Sequence, residues 1–254
     1  MNVRRWYAAP LMRVNKMLAP RIRNSRLITR WFFGVDVQKG RRVQYWDYTT
    51  LVFRQALLKH VQPRSRTLEI GVGEHAILSI FLCKHVEVTA FGVDLEPSAV
   101  EHACRTVKKN AVNVDLRQSD MFEACSGAFD VVFWNPPYVP RDAPAKGVIG
   151  GLSEVATDGG SDGMELIRRF VKCVPDYLDE NGRVLLGFSS FYVETERILE
   201  LVAQSSLEIE EFIAAFPNPS QVCVLRRRRN VNPKDGRPAM TPCSAPAENS
   251  PGQC

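Results

Sequence analysis

The sequence predicts an α/β fold: a seven-stranded, mostly parallel sheet with an antiparallel C-terminal edge and helices on both faces. Three observations point to it. From Thr67 onward, short β-branched or apolar runs alternate with stretches of helical periodicity, the pattern of parallel strands joined by crossover helices. The last two apolar runs follow one another with no helical stretch between them, which reads as a hairpin at the edge of the sheet. The chain has 254 residues, 45% hydrophobic and 24% charged, enough to bury about 70 to 75% of its unfolded surface.

The elements follow in order. Residues 67–70 (Thr-Leu-Glu-Ile) form a first strand that runs into a glycine turn, after which 76–84 is helical. Residues 88–93 make a second strand, and Pro97 with Ser98 opens a helix over 97–110, proline being suited to a first helical turn. Strands at 115–118 and 129–135 come next, the latter stopped by two prolines. A helix over 163–174, a strand at 183–188, a helix over 193–204 and strands at 207–212 and 221–226 complete the series.

Charge divides the chain more sharply than its net +5 suggests. Residues 1–42 hold eleven basic side chains against Asp36 alone, a net +10, and residues 226–254 hold six against two acids, a net +4, so the body between them carries −9. An acidic body is a poor general surface for phosphate backbones. The basic N-terminal stretch interleaves its arginines with Trp6, Leu11, Met17, Leu18, Ile22, Leu27, Ile28, Trp31, Phe32 and Phe33, broken at Pro10 and Pro20. That spacing permits two or three short amphipathic helices, and its Arg-rich, acid-poor composition also suits an organellar transit peptide. The expected division is a basic helical or hairpin extension over 1–45, a catalytic body over 46–228 and a Pro, Ser, Asn and Gly-rich tail over 229–254 that is disordered. The arginine run at 226–229 reads as a solvated end.

No apolar run approaches the roughly 20 residues that cross a bilayer, so no membrane association is expected. The seven cysteines (Cys83, Cys104, Cys125, Cys173, Cys223, Cys243, Cys254) are scattered with no Cys-x-x-Cys pair. They read as reduced thiols in a cytosol-like compartment, with no metal site. His60, His85 and His102 read as packing or solvent-facing residues.

Four strings carry chemistry. Thr67-Leu-Glu-Ile-Gly71-Val-Gly73-Glu-His75 is a strand entering a glycine turn and then a helix, where a ligand can approach the backbone at the carboxyl end of a sheet. The third glycine of a dinucleotide fingerprint is missing, and Glu69 places a carboxylate where a cationic ligand would be favoured over a phosphate. Asp94, in Gly-Val-Asp94-Leu95-Glu96-Pro, stands at the tip of the second strand, where a carboxylate accepts both ribose hydroxyls of a nucleoside; alternatively Asp94 and Glu96 cap the next helix. Asp120 and Met121 end the third strand with an acid and an apolar neighbour suited to an adenine amine and ring face. In Trp134-Asn135-Pro136-Pro137-Tyr138 the prolines remove backbone donors and stiffen the turn. The Asn135 carboxamide and Pro136 carbonyl then project as fixed acceptors for an amide or amino N–H, with Tyr138 packing on its plane.

In this order and spacing the strings resemble class I S-adenosylmethionine-dependent methyltransferases, in the branch that carries Asn-Pro-Pro-Tyr. That branch includes amino-methylating DNA and RNA adenine enzymes and the HemK-like protein glutamine N5-methyltransferases. The segment Ala156-Thr-Asp-Gly159-Gly160-Ser-Asp162-Gly163-Met-Glu-Leu-Ile-Arg168-Arg169 is similar to the Gly-Gly-x-Asp-Gly stretch and helix that HemK-like enzymes place after the catalytic loop. The resemblance spans residues 35–228 and implies a Rossmann-like fold. It implies S-adenosylmethionine bound by Glu69, Gly71, Val72, Gly73, Glu74, His75, Asp94, Leu95, Asp120, Met121 and Asn135. Catalysis is implied at Asn135, Pro136, Pro137 and Tyr138, on a glutamine side-chain amide of a release factor or ribosomal protein. Before the first core helix this sequence reads Gln44-Tyr-Trp-Asp-Tyr-Thr49-Thr50-Leu-Val, without the family's proline, and His75 replaces a small residue. Methylation of an amino group on a nucleobase or small metabolite is the alternative activity, and a non-catalytic cofactor-binding scaffold the alternative class.

Overall fold

The computed structural model describes residues 22–38, 45–141, 158–214 and 218–228; expectations for residues 1–21, for 229–254 and for the Ala156-Thr157 start of the glycine segment lie outside them. Seven strands form one sheet: β1 (Arg66–Ile70), β2 (Thr89–Asp94), β3 (Val114–Gln118), β4 (Phe129–Trp134), β5 (Leu178–Ser189), β6 (Leu207–Ala214) and β7 (Ser220–Arg227). Their order is β3-β2-β1-β4-β5-β7-β6. The first five pair in parallel and β7 joins β5 and β6 antiparallel, the topology expected. The helices are α1 (Arg26–Phe33), α2 (Tyr48–His60), α3 (Ile77–His85), α4 (Pro97–Lys109), α5 (Glu165–Cys173) and α6 (Thr195–Ala203).

The central strands β1, β4 and β7 are largely buried on both sides, and their period of two splits the core. Val131 and Phe133 of β4 join Phe53, Phe81 and Val224 on one face, while Val132 and Trp134 join Phe170, Ile198 and Leu225 on the other. Phe33, Val35 and Val37 belong to the first of these clusters, so the chain from α1 onward folds with the body. Helix α2 is absent from the helices that periodicity picks out. It covers β5 and β7 with Val52, Phe53, Ala56 and Leu57, and its N-cap is Asp47 in a reciprocal pairing with Thr50. Strand β5 begins at Leu178, ahead of the apolar run at 183, because Leu178 pairs with Phe129 across a register irregularity.

One expectation fails. The arginine run is no solvated end over its described residues: Arg226 pairs with Glu208 at 2.8 Å, Arg227 donates to the Leu178 carbonyl at 2.8 Å, and Arg228 donates to the Leu207 and Ala203 carbonyls at 2.8 and 2.9 Å. Arg228 thereby occupies carbonyls at the C-terminus of α6, where backbone acceptors lack helical partners. Among the described residues Cys83, Cys125 and Cys223 are free thiols. Among the described residues, no helix is long and apolar enough to cross a membrane.

Candidate active site

The register brings the four strings to one edge. Ile70 pairs with both Val93 and Trp134, and Asp94 with Gln118, so the glycine turn, Asp94, Asn135 and Asp120 all leave the carboxyl ends of adjacent strands. Open α/β sheets bind ligands at this edge.

Gly71 and Gly73 take φ of +67° and +62°, a region that only glycine enters freely. A Cβ on Gly71 would stand 3.2 Å from Trp134 Nε1, whereas one on Gly73 would meet nothing within 4 Å, so the turn is closed toward the sheet and open above Gly73. Asp94 holds it: the Gly73 N–H donates to Asp94 Oδ2 at 2.8 Å and the Glu96 N–H to Oδ1 at 3.0 Å. Leu95 beside it is 54% exposed. Glu74 and His75 point inward. The His75 ring packs edge-on to Tyr45 at 4.9 Å and to His102 at 5.2 Å.

Glu69 faces helix α3, where Oε2 accepts from the Ser79 backbone N–H at 3.0 Å and from the Ser79 hydroxyl. It therefore caps the first turn of a helix whose own N-cap, Ala76, has no side-chain acceptor. Burial pushes its carboxyl up to about 8. A folded-state value raised above the unfolded one favours folding below about 4.5 and loses that contribution as pH rises toward 8. Glu69→Gln keeps an acceptor for Ser79 without titrating. Its melting temperature is expected to gain on the parent between pH 5 and pH 9, and parallel melting curves across that range would refute the buried-carboxyl role.

Asp120 stands at this same edge and is engaged by helix α5. Both its oxygens accept from Arg169 Nη1 of α5 at 2.8 Å, while Met121 sits at φ +51° with its side chain in the core. Asn135 and Tyr138 of the next string meet the first turn of α2. Asn135 Nδ2 donates to Asp47 Oδ1 at 3.3 Å and Oδ2 at 3.2 Å, leaving Oδ1 of Asn135 buried with no hydrogen-bond partner. The Tyr138 hydroxyl lies 3.2 Å from Thr49 Oγ1, and its ring is 6.1 Å from that of Tyr192. Burial drives the Tyr138 phenol well above its ordinary range, so it remains a neutral hydroxyl. Pro136 is buried and Pro137 half-buried between them.

The glycine-rich segment clamps this turn. Val139 and Asp158 form a parallel bridge, the Gly159 N–H donates to Val139 O at 2.9 Å, and the Arg141 N–H donates to Gly160 O at 2.8 Å. A Cβ on Gly159 would lie 2.8 Å from Tyr138 Cα, and one on Gly163 would lie 2.6 Å from Tyr138 O. Asp162 ties the clamp to both flanking helices through Arg168 and Arg197, and Arg168 holds its carboxyl far below the usual range. Sequence reasoning left Asp47 and Thr49 out of the site. Their signal was the Asp47-x-x-Thr50 cap ahead of an apolar run, which marks a helix start but says nothing of what else the cap touches.

Residues 44–158 match the family model described as Methyltransferase small domain. The chain is 41% identical over 134 residues to a provisionally named protein N5-glutamine methyltransferase of Methanocaldococcus jannaschii, covering 53% of this chain and 66% of that one. It is 30% identical over 174 residues to a release factor glutamine methyltransferase of Geobacter sulfurreducens, covering 66% of this chain and 60% of that one. It thus spans just under two thirds of these relatives' lengths. Among solved structures, a methyltransferase from Pyrococcus furiosus shares the fold, with a TM-score of 0.60 at 20% identity over 83% of this chain and 97% of that one. Residues 44–158 therefore carry a match to a methyltransferase domain, and over the aligned residues the chain is similar to protein glutamine N5-methyltransferases.

Proposed function

We propose that the chain methylates the side-chain amide nitrogen of a glutamine in a protein substrate, a release factor being the first candidate. The observation that carries this reading is the buried, unpartnered Oδ1 of Asn135. A buried acceptor without a donor costs about 1 to 3 kcal/mol, and a substrate N–H arriving there relieves that cost. The adjoining Pro136 carbonyl is the second acceptor, so both N–H bonds of a primary amide are held and its lone pair is aimed by position. The Tyr138 ring, anchored through Thr49, flanks the amide plane.

The same edge suits S-adenosylmethionine, with space above Gly73, a carboxylate at Asp94 and a backbone turn that no side chain blocks. That cofactor supplies an electrophilic methyl group. Gly71, Val72, Gly73, Asp94 and the exposed Leu95 are proposed to hold it. Glu69, Glu74 and His75 support the turn from behind in this reading, and Asp120 with Met121 borders the adenine only if Arg169 releases the carboxylate. The net −9 of the body favours a protein over nucleic acid.

The test is incubation of the chain with labelled cofactor and a purified release factor, with tandem mass spectrometry to place the methyl group. A methyl on a glutamine amide nitrogen is expected; label entering RNA or a metabolite instead overturns the substrate assignment. Asp94→Ala is expected to weaken S-adenosylmethionine at least tenfold by calorimetry, since charge-assisted hydrogen bonds contribute about 1.5 to 3 kcal/mol each. Unchanged affinity would remove Asp94 from the ribose site.

A further inference from the structure

We infer that Asp47 is a positioning residue for the reaction: its carboxylate decides which end of the Asn135 carboxamide faces the substrate. The inference rests on the glutamine-amide reading above and adds a residue that reading does not use. A carboxamide has nearly the same shape at its oxygen and its NH2 end, so only its surroundings choose between the two orientations. At Asn135 the choice is made on one side. Asp47 Oδ1 and Oδ2 both lie against Nδ2, at 3.3 and 3.2 Å, and a carboxylate accepts but does not donate. The flipped amide would put its oxygen against two carboxylate oxygens with no hydrogen between them. Oδ1 is therefore turned away from Asp47, into the buried position where no donor among the described residues reaches it.

Two further features make this a built arrangement. Asp47 is itself fixed, because Oδ1 accepts from the Thr50 N–H and the Thr50 hydroxyl, each at 2.7 Å, and the Asp47 N–H donates back to Thr50 Oγ1 at 3.1 Å. The first turn of α2 thus serves as the reference frame for a side chain on β4's exit loop, 88 residues away in the chain. Second, Gly187 of β5 lets the first turn of α2 and the Asn135 carboxamide close against the strand, since a Cβ there would stand 2.5 Å from Phe53 Cε2, 2.8 Å from Thr49 Cγ2 and 3.1 Å from Asn135 Oδ1. Donation from the NH2 group to a carboxylate also polarises the carboxamide, which makes its oxygen a stronger acceptor for a substrate N–H.

Asp47→Asn separates positioning from capping. Asparagine caps a helix as well as aspartate does, so the variant is expected to melt like the parent, while its own NH2 group now permits Asn135 to flip. Asp47→Ala loses both roles and is expected to melt lower. The first readout needs no substrate: the Asn135 side-chain 15NH2 resonance, assigned by its disappearance in Asn135→Ala, is expected to lose its downfield proton shift in Asp47→Asn. The second is methyl transfer to a release factor, where Asp47→Asn is expected to lose at least tenfold in kcat, as Asp47→Ala does, with cofactor affinity unchanged. A pure capping role predicts full turnover in Asp47→Asn and a loss only in Asp47→Ala. An unshifted resonance, or near-normal kcat in Asp47→Asn beside an inactive Asn135→Ala, overturns the role of Asp47 alone. A parent chain that leaves the release factor unmethylated, or an Asn135→Ala that keeps its turnover, overturns the glutamine reading instead.

Discussion

Asn135→Ala is expected to lose turnover by about 10²-fold or more while keeping its melting temperature and its affinity for S-adenosylmethionine, because misalignment of a reacting group by an ångström is enough for a loss of that size. Its buried acceptor has no hydrogen-bond partner among the described residues, so removal deletes no hydrogen bond to Oδ1 that holds the fold. What goes is the bond to Asp47 and the acceptor aimed at the substrate. Melting curves, calorimetry and methyl-transfer rates on one preparation separate these effects. A variant with near-normal turnover would mean that the amide is oriented by other groups.

Gly187→Ala is expected to damage stability and turnover together. The added Cβ would lie 2.5 Å from Phe53 Cε2, 2.8 Å from Thr49 Cγ2 and 3.1 Å from Asn135 Oδ1. Phe53 is fully buried, so the helix must move away from β5 at a cost of about 1 to 3 kcal/mol. Thr49 and Asp47 ride on that helix, so Tyr138 and Asn135 would lose their partners together. Lower thermal stability with turnover falling further than stability is the expected result. A variant that melts and turns over like the parent would show that α2 is free to shift without consequence for the site.

The core strands and their helices were legible because they depend on neighbours in the chain. Strand runs of period two, Pro97 at a helix start and the two prolines after Asn135 act within a few residues. Helix α2 was harder to see: its apolar face is interrupted by threonines that are buried only because β5 and β7 lie beneath them. The arginine run misled for a related reason. Four consecutive cations look solvated unless the carbonyl ends of α6 and the Pro175 turn are known to lie alongside.

The sequence by itself determined the order of the four strings, and parallel pairing then carries the glycine turn, Asp94 and Asn135 to one edge whatever the helices do. Only the tertiary structure decided what those side chains touch. It turned His75 toward Tyr45 and His102, committed Asp120 to Arg169, and set Asp47 against Asn135. Each of these contacts joins elements far apart in the chain, and each depends on which face of the sheet a helix covers and at what register. That choice is made by burying two apolar faces at once, a property of the whole core that no local window of sequence contains.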